Sequence, residues 1–110
     1  MDWIQLTNEC LLDEIKEKSF HQAQIIFKHS TTCSISGLAK GRLEKGKAVA
    51  NMDFYLLDLL KFRSISNSVA TSFNVHHESP QVLVIRHGEC VFAESHYAIN
   101  FEEVLEQATL

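Results

Sequence analysis

The stretch HSTTCSIS, residues 29 to 36, sets a single thiol, Cys33, among a run of hydroxyls. It follows the apolar run AQIIF and leads into a helical pattern, so Cys33 is expected at the mouth of a helix. Unpaired N–H groups and the positive end of the helix dipole there favour a thiolate over a thiol. The thiolate is the attacking species in thiol–disulfide exchange. Thr31, Thr32, Ser34 and Ser36 can add hydroxyl donors around the sulfur, and none of them can serve as a second redox thiol. The competing reading of Cys33 is a small buried cysteine at a strand end, but a hydroxyl-rich loop is a poor place to bury a thiol.

The other thiols read differently. Cys10, Cys33 and Cys90 are odd in number and widely spaced, and no CxxC pair occurs, so neither a disulfide framework nor a zinc ribbon is indicated. Cys10 falls in an amphipathic segment beside Leu11, and Cys90 alternates with polar neighbours on a strand pattern. Plain packing is expected for both, with a resolving or regulatory role as the alternative. A second chemistry is open to His29, Cys33, His76 and His77, which would be metal ligands if the fold made them converge. Neighbouring histidines in a loop usually point apart, so metal binding ranks second and no metal ligand is assigned. His21, His87 and His96 read as surface or turn residues.

These residues must be positioned by regular elements. LTNECLLDEIKEKS places Leu11, Leu12 and Ile15 at helical spacing, with Asn8 or Thr7 as cap and Lys16 and Lys18 near the C-terminal end. AQIIFKH reads as a buried strand. Beyond Cys33, Ile35, Leu38, Leu43 and Val49 suggest a helix, in which Gly37, Gly41 and Gly46 mark close packing on a sheet or a break near Gly46. DFYLLDLL reads as a central strand, and SISNSVATSFN as a short helix capped by Ser64 or Ser66. HHESP, with the only proline, Pro80, is turn-like. QVLVIRHGECVFAES predicts a hairpin about His87–Gly88. NFEEVLEQATL closes as a helix with Asn100 as N-cap.

The resulting order is α-β-α-β-α-β-β-α, an α/β chain with a small mixed central sheet flanked by helices. Its 110 residues fit one domain, residues 1–110, and its 45% hydrophobic and 22% charged composition is that of a globular protein. A net charge of −4 without a Lys/Arg cluster argues against nucleic acid and anionic membranes as partners. No apolar stretch is long enough to span a bilayer, and MDWIQLTNEC lacks the features of a signal peptide, so a cytoplasmic location is expected.

The element order, the cysteine at a helix mouth and the proline before the hairpin resemble the thioredoxin-like fold. Within it, TCSIS and HESPQ at this separation resemble the monothiol bacilliredoxins, also called YtxJ-like, across roughly residues 5 to 108. That family's pattern is close to Thr-Cys-Pro-Ile-Ser and His-Glu-Ser-Pro-Gln. This chain has Ser34 where the pattern usually has proline, which exchanges a pre-set φ for an N–H and a hydroxyl near the sulfur. The Gly-Gly-x-Asp-like segment that grips glutathione in glutaredoxins has no counterpart after the last strand.

The resemblance implies that Cys33 is the catalytic nucleophile and that Ser79–Pro80 is a cis bond facing it. Ser79 would offer backbone groups to an extended substrate. Thr32, Ser34, Ser36, Ser79 and Pro80 are accordingly the expected substrate-binding residues. A dithiol relative would carry its second cysteine at residue 36, which here is Ser36. The implied activity is removal of bacillithiol from S-bacillithiolated client proteins, with bacillithiol as thiol co-substrate and no bound cofactor. The alternatives are a metal or iron–sulfur protein, since some monothiol glutaredoxins hold a cluster between subunits, and a non-catalytic adaptor or redox sensor of the same fold.

Overall fold

Apolar runs bounded by polar turns produce a five-stranded sheet with helices on both faces. A computed structural model describes residues 1–46 and 51–110. The elements are β1 (Trp3–Gln5), α1 (Cys10–Lys18), β2 (Ala23–His29), α2 (Ser34–Glu44), β3 (Met52–Asp58), α3 (Arg63–Ser72), β4 (Gln81–Arg86), β5 (Glu89–Ser95) and α4 (Phe101–Thr109). A 3-10 turn at His96–Ala98 joins the last two. The expected order is therefore found, with one strand, β1, ahead of it. Val49, counted above on the second helix, lies outside the described residues.

The strands lie in the order β1-β3-β2-β4-β5. β1 and β2 pair parallel to β3, whereas β4 runs antiparallel to β2 and forms a hairpin with β5. The central strand is β2, buried at every position. Its alternation divides the core: Ile26 packs with Leu12, Ile15, Ile65 and Val69 on the α1/α3 face. Ile25 and Phe27 pack with Ala39, Leu43 and Val104 on the α2/α4 face. The hairpin turns on His87 and Gly88, both at positive φ (54° and 79°), the conformation a two-residue turn between twisted strands requires.

The caps follow the sequence in part. The Asn8 side chain accepts from Leu11 N–H at 3.2 Å, and that of Asn100 accepts from Glu103 N–H at 2.9 Å. Ser64 and Ser66 are not caps: both lie inside α3, which begins at Arg63 behind Phe62. Gly37 and Gly41 do not mark close packing, because a Cβ at either would meet open space. Gly46 does lie past the end of α2, and a Cβ there would run into the Phe101 ring.

Candidate active site

The parallel β2–β3 pair and the antiparallel β2–β4 pair bring the key loops to one end of the sheet. β2 ends at His29 and β3 at Asp58, which are register partners, and Leu59 N–H donates to His29 C=O at 3.0 Å. Lys28 pairs with Gln81, so Pro80 lies level with the end of β2. β5 ends there too, and His96 N–H donates to Pro80 C=O at 3.1 Å. Residues 30–33, 59–62, 76–80 and 96–98 thus ring the same end of the sheet.

Cys33 occupies the N-cap position of α2 with an extended backbone, φ −105° and ψ 120°. Its N–H donates to Ser30 C=O at 3.2 Å and its C=O accepts from Gly37 N–H at 3.1 Å. No acidic residue lies in the first turn of α2, so nothing there offsets the positive helix end. The thiol is half-buried. Thr32 and Ser34 beside it are exposed.

Ser36 does not share the exposed side of this loop with Thr32 and Ser34, contrary to the expected substrate contact. It is 0% exposed, and its Oγ accepts from Ser30 N–H at 2.9 Å and lies 2.7 Å from His29 Nδ1. Burial lowers the proton affinity of His29, the Lys40 charge lowers it further, and Asp58 and Glu44 oppose both. A neutral His29 lets Ser36 donate its hydroxyl proton to Nδ1 while accepting from Ser30. The ring also stacks on Phe27, with centroids 5.7 Å apart. Ser36 therefore laces the first turn of α2 to the end of β2 and fixes the loop that carries Cys33.

At the same end of the sheet, in the loop before β4, the Ser79–Pro80 bond is cis, Pro80 is buried and Ser79 is half-buried. Among the described residues, neither the N–H nor the C=O of Ser79 takes part in a backbone hydrogen bond. The preceding residues are held from below: Gln81 Nε2 donates to His76 C=O at 3.0 Å, and Lys28 Nζ lies 3.1 Å from His77 Nδ1. Glu78 stands between His76 and His96, 3.9 and 3.7 Å away.

The histidines of the metal reading are drawn to different partners. His29 turns to Ser36, His77 turns inward to Lys28, and His76 is exposed. Among the described residues no group of three His, Cys, Asp or Glu side chains is gathered for a metal ion. Cys10 is exposed rather than packed, and Cys90 is half-buried against the α1/α3 core. Burial raises the Cys90 thiol above its ordinary range, and its Sγ lies 3.2 Å from Phe92 C=O. Lys28 was not singled out from the sequence, although a lysine within an otherwise apolar strand was its visible signal.

A family model described as monothiol bacilliredoxin BrxC matches residues 4–104. A solved structure described as a candidate oxidoreductase with a thioredoxin fold is 33% identical, with a TM-score of 0.83 over 97% of this chain and 93% of that one. Plasmodium falciparum thioredoxin is 15% identical with a TM-score of 0.73, covering 97% of this chain and 99% of that one. Malassezia sympodialis thioredoxin is 12% identical with a TM-score of 0.72, covering 98% and 89%. The two thioredoxins share the fold alone. No helix among the described residues is long and apolar enough to cross a membrane.

Proposed function

The chain belongs to the monothiol bacilliredoxin family, and from that premise we propose that it removes bacillithiol from S-bacillithiolated proteins by exchange at Cys33. Family and fold support a thiol oxidoreductase. The observation that carries the finer reading is a lone thiol at the mouth of α2 with a buried hydroxyl, Ser36, where a dithiol relative has its second sulfur.

The Cys33 thiolate attacks the bacillithiol sulfur of a mixed disulfide. A new S–S bond forms, the client sulfur leaves with the bonding electron pair, and the client thiolate takes a proton from solvent. Cys33 then carries bacillithiol. A second thiolate attacks that adduct at the bacillithiol sulfur and releases Cys33 with its electron pair. Disulfides are exchanged throughout, so no outside oxidant enters. The exposed hydroxyls of Thr32 and Ser34 flank the attacking sulfur, while Ser79, whose backbone N–H and C=O are unpaired among the described residues, receives the extended client beside Pro80. Ser36 acts as a positioning residue through His29 and Ser30. A reducing compartment such as the cytoplasm suits a lone working thiol.

Mass spectrometry of a Cys10→Ala, Cys90→Ala double variant tests the reading. With a bacillithiolated client it is expected to free the client and gain one bacillithiol on Cys33. Client release by Cys33→Ser, with none by the double variant, refutes the assignment.

A further inference from the structure

We propose that Lys28 is a positioning residue for exchange at Cys33: through His77 its buried ammonium holds the proline loop at the height where a client sulfur must lie. The inference rests on the functional reading above and extends it to a side chain remote from the reacting sulfurs.

Lys28 is 0% exposed on the α1/α3 face of β2. Among the described residues it forms no ion pair with a carboxylate. Its Nζ donates to Ser66 C=O and to His77 Nδ1, each at 3.1 Å. A buried ammonium without a counter-charge is a cost to stability, and an apolar side chain of like volume would pack there more favourably. The contacts show where the lysine acts, since they join α3 to the proline loop.

The cross-strand partner acts on the same loop. Gln81 lies opposite Lys28 in the β2–β4 register and is itself 2% exposed. Its Nε2 takes the His76 carbonyl, so neighbouring strand residues hold neighbouring loop residues. Its Oε1 is buried without a partner among the described residues, which leaves an acceptor dipole on the face that bears the ammonium. An ammonium has no lone pair, so His77 Nδ1 must accept and the ring proton must sit on Nε2. Burial, then the Lys28 and Arg63 charges, keep His77 neutral against the weaker pull of Glu78. Neutral His77 is the form the clamp needs.

The test uses the full chain with Cys10→Ala and Cys90→Ala, so that Cys33 is the only thiol. Lys28→Met should leave alkylation of Cys33 by iodoacetamide within about twofold, because the bare thiol is untouched. It should lower kcat/KM for a bacillithiolated peptide on the order of tenfold, mainly through KM, because the client is presented out of line. His77→Ala should match it, the double variant should be no worse than either, and His77→Asn, which keeps an acceptor at the Nδ1 position, should restore exchange. Equal losses in alkylation and exchange, or a Lys28→Met rate equal to wild type, overturn the proposal. If Lys28→Met does not fold, the His77→Asn and His77→Ala pair decides by the same criterion. Ring-nitrogen NMR of the wild type supplies a readout free of activity: a protonated Nδ1 on His77 overturns the clamp. Absence of exchange by the wild type refutes the functional reading, and the NMR result then still decides the clamp.

Discussion

Replacing Lys28 by methionine should change how stability depends on pH, and the change can be worked from the structure. Burial pushes the Lys28 ammonium down from 10.5 to about 8. Between those values the unfolded chain keeps a proton that the folded chain has released, so the wild type gains stability as pH rises. The stabilisation is complete above 10.5 and is lost as pH falls through 8. At about 1.36 kcal/mol per pKa unit, the full difference is about 3 kcal/mol, of which about 2 kcal/mol falls between pH 7.5 and 10. Lys28→Met lacks this contribution, so the wild type should gain about 2 kcal/mol on the variant over that range, on the order of 10 °C in Tm. Urea unfolding followed by the fluorescence of Trp3, which packs on Phe27 and Phe54, gives both curves. Half-buried Cys90 and buried Tyr55, the latter raised to about 12, lose stability at high pH in both proteins and cancel in the difference. His77 is lowered and titrates below the window. The gap is expected to move with pH whatever its absolute size, because the lost contacts to Ser66 and His77 shift its offset. A gap constant within about 0.5 kcal/mol refutes the reasoning, since it would mean that Lys28 keeps an ordinary proton affinity in the fold.

Ser36→Ala should cost about 2 kcal/mol in urea, because Ser30 N–H loses its acceptor in the interior. Asn100→Ala removes the side-chain cap of α4 and should lower stability by about 1 kcal/mol, read as a shift in the urea midpoint. Gly46→Ala drives a Cβ into the Phe101 ring and should cost about 1–3 kcal/mol, visible as a lower Tm. His77, held below its ordinary value, contributes stability above pH 6.5 that is lost as pH falls through its folded value. His77→Asn should therefore flatten the acid limb of the stability curve, measured by chemical unfolding from pH 7 downward.

Most of the architecture was legible because each long element carries its own period. AQIIFKH maps onto β2 without shift, His87–Gly88 forms the two-residue turn, and Asn100 caps α4. β1 escaped because three residues carry no period, and its pairing with β3 through Trp3 opposite Phe54 is set by a partner distant in sequence. Ser64 and Ser66 suggest caps because serine favours that position, but the helix starts earlier, at Arg63, and turns Ser66 into the core. At the site, the sequence disclosed Cys33 and the proline loop. It misplaces Ser36, expected among the substrate contacts: residue 36 is one turn past Cys33, and its buried hydroxyl goes to the end of β2 instead. Lys28 was legible in principle, since alternation puts it on the face of Ile26, which the hydrophobic pattern assigns to the core.

The buried hydroxyl at residue 36 bears on where such a protein must act. A dithiol site resolves its mixed disulfide with a neighbouring sulfur that the fold already holds in place. Here residue 36 offers Ser36, which is engaged with His29 and Ser30, Cys10 is exposed on α1, and Cys90 packs on the α1/α3 core beside the β4–β5 turn, at the end of the hairpin away from Pro80. Under the proposed mechanism both attacks then join two molecules, and each needs an incoming sulfur aligned with the bond it breaks. The fold's contribution to such a reaction is orientation, whose worth depends on how rigidly the receiving surface is held. That requirement falls on the two loops flanking Cys33. One is laced to β2 by Ser36, and the other is pinned from beneath by Gln81 and Lys28. A fold that accepts an uncompensated buried ammonium at the second loop concedes stability at the place where a monothiol mechanism most needs a fixed position.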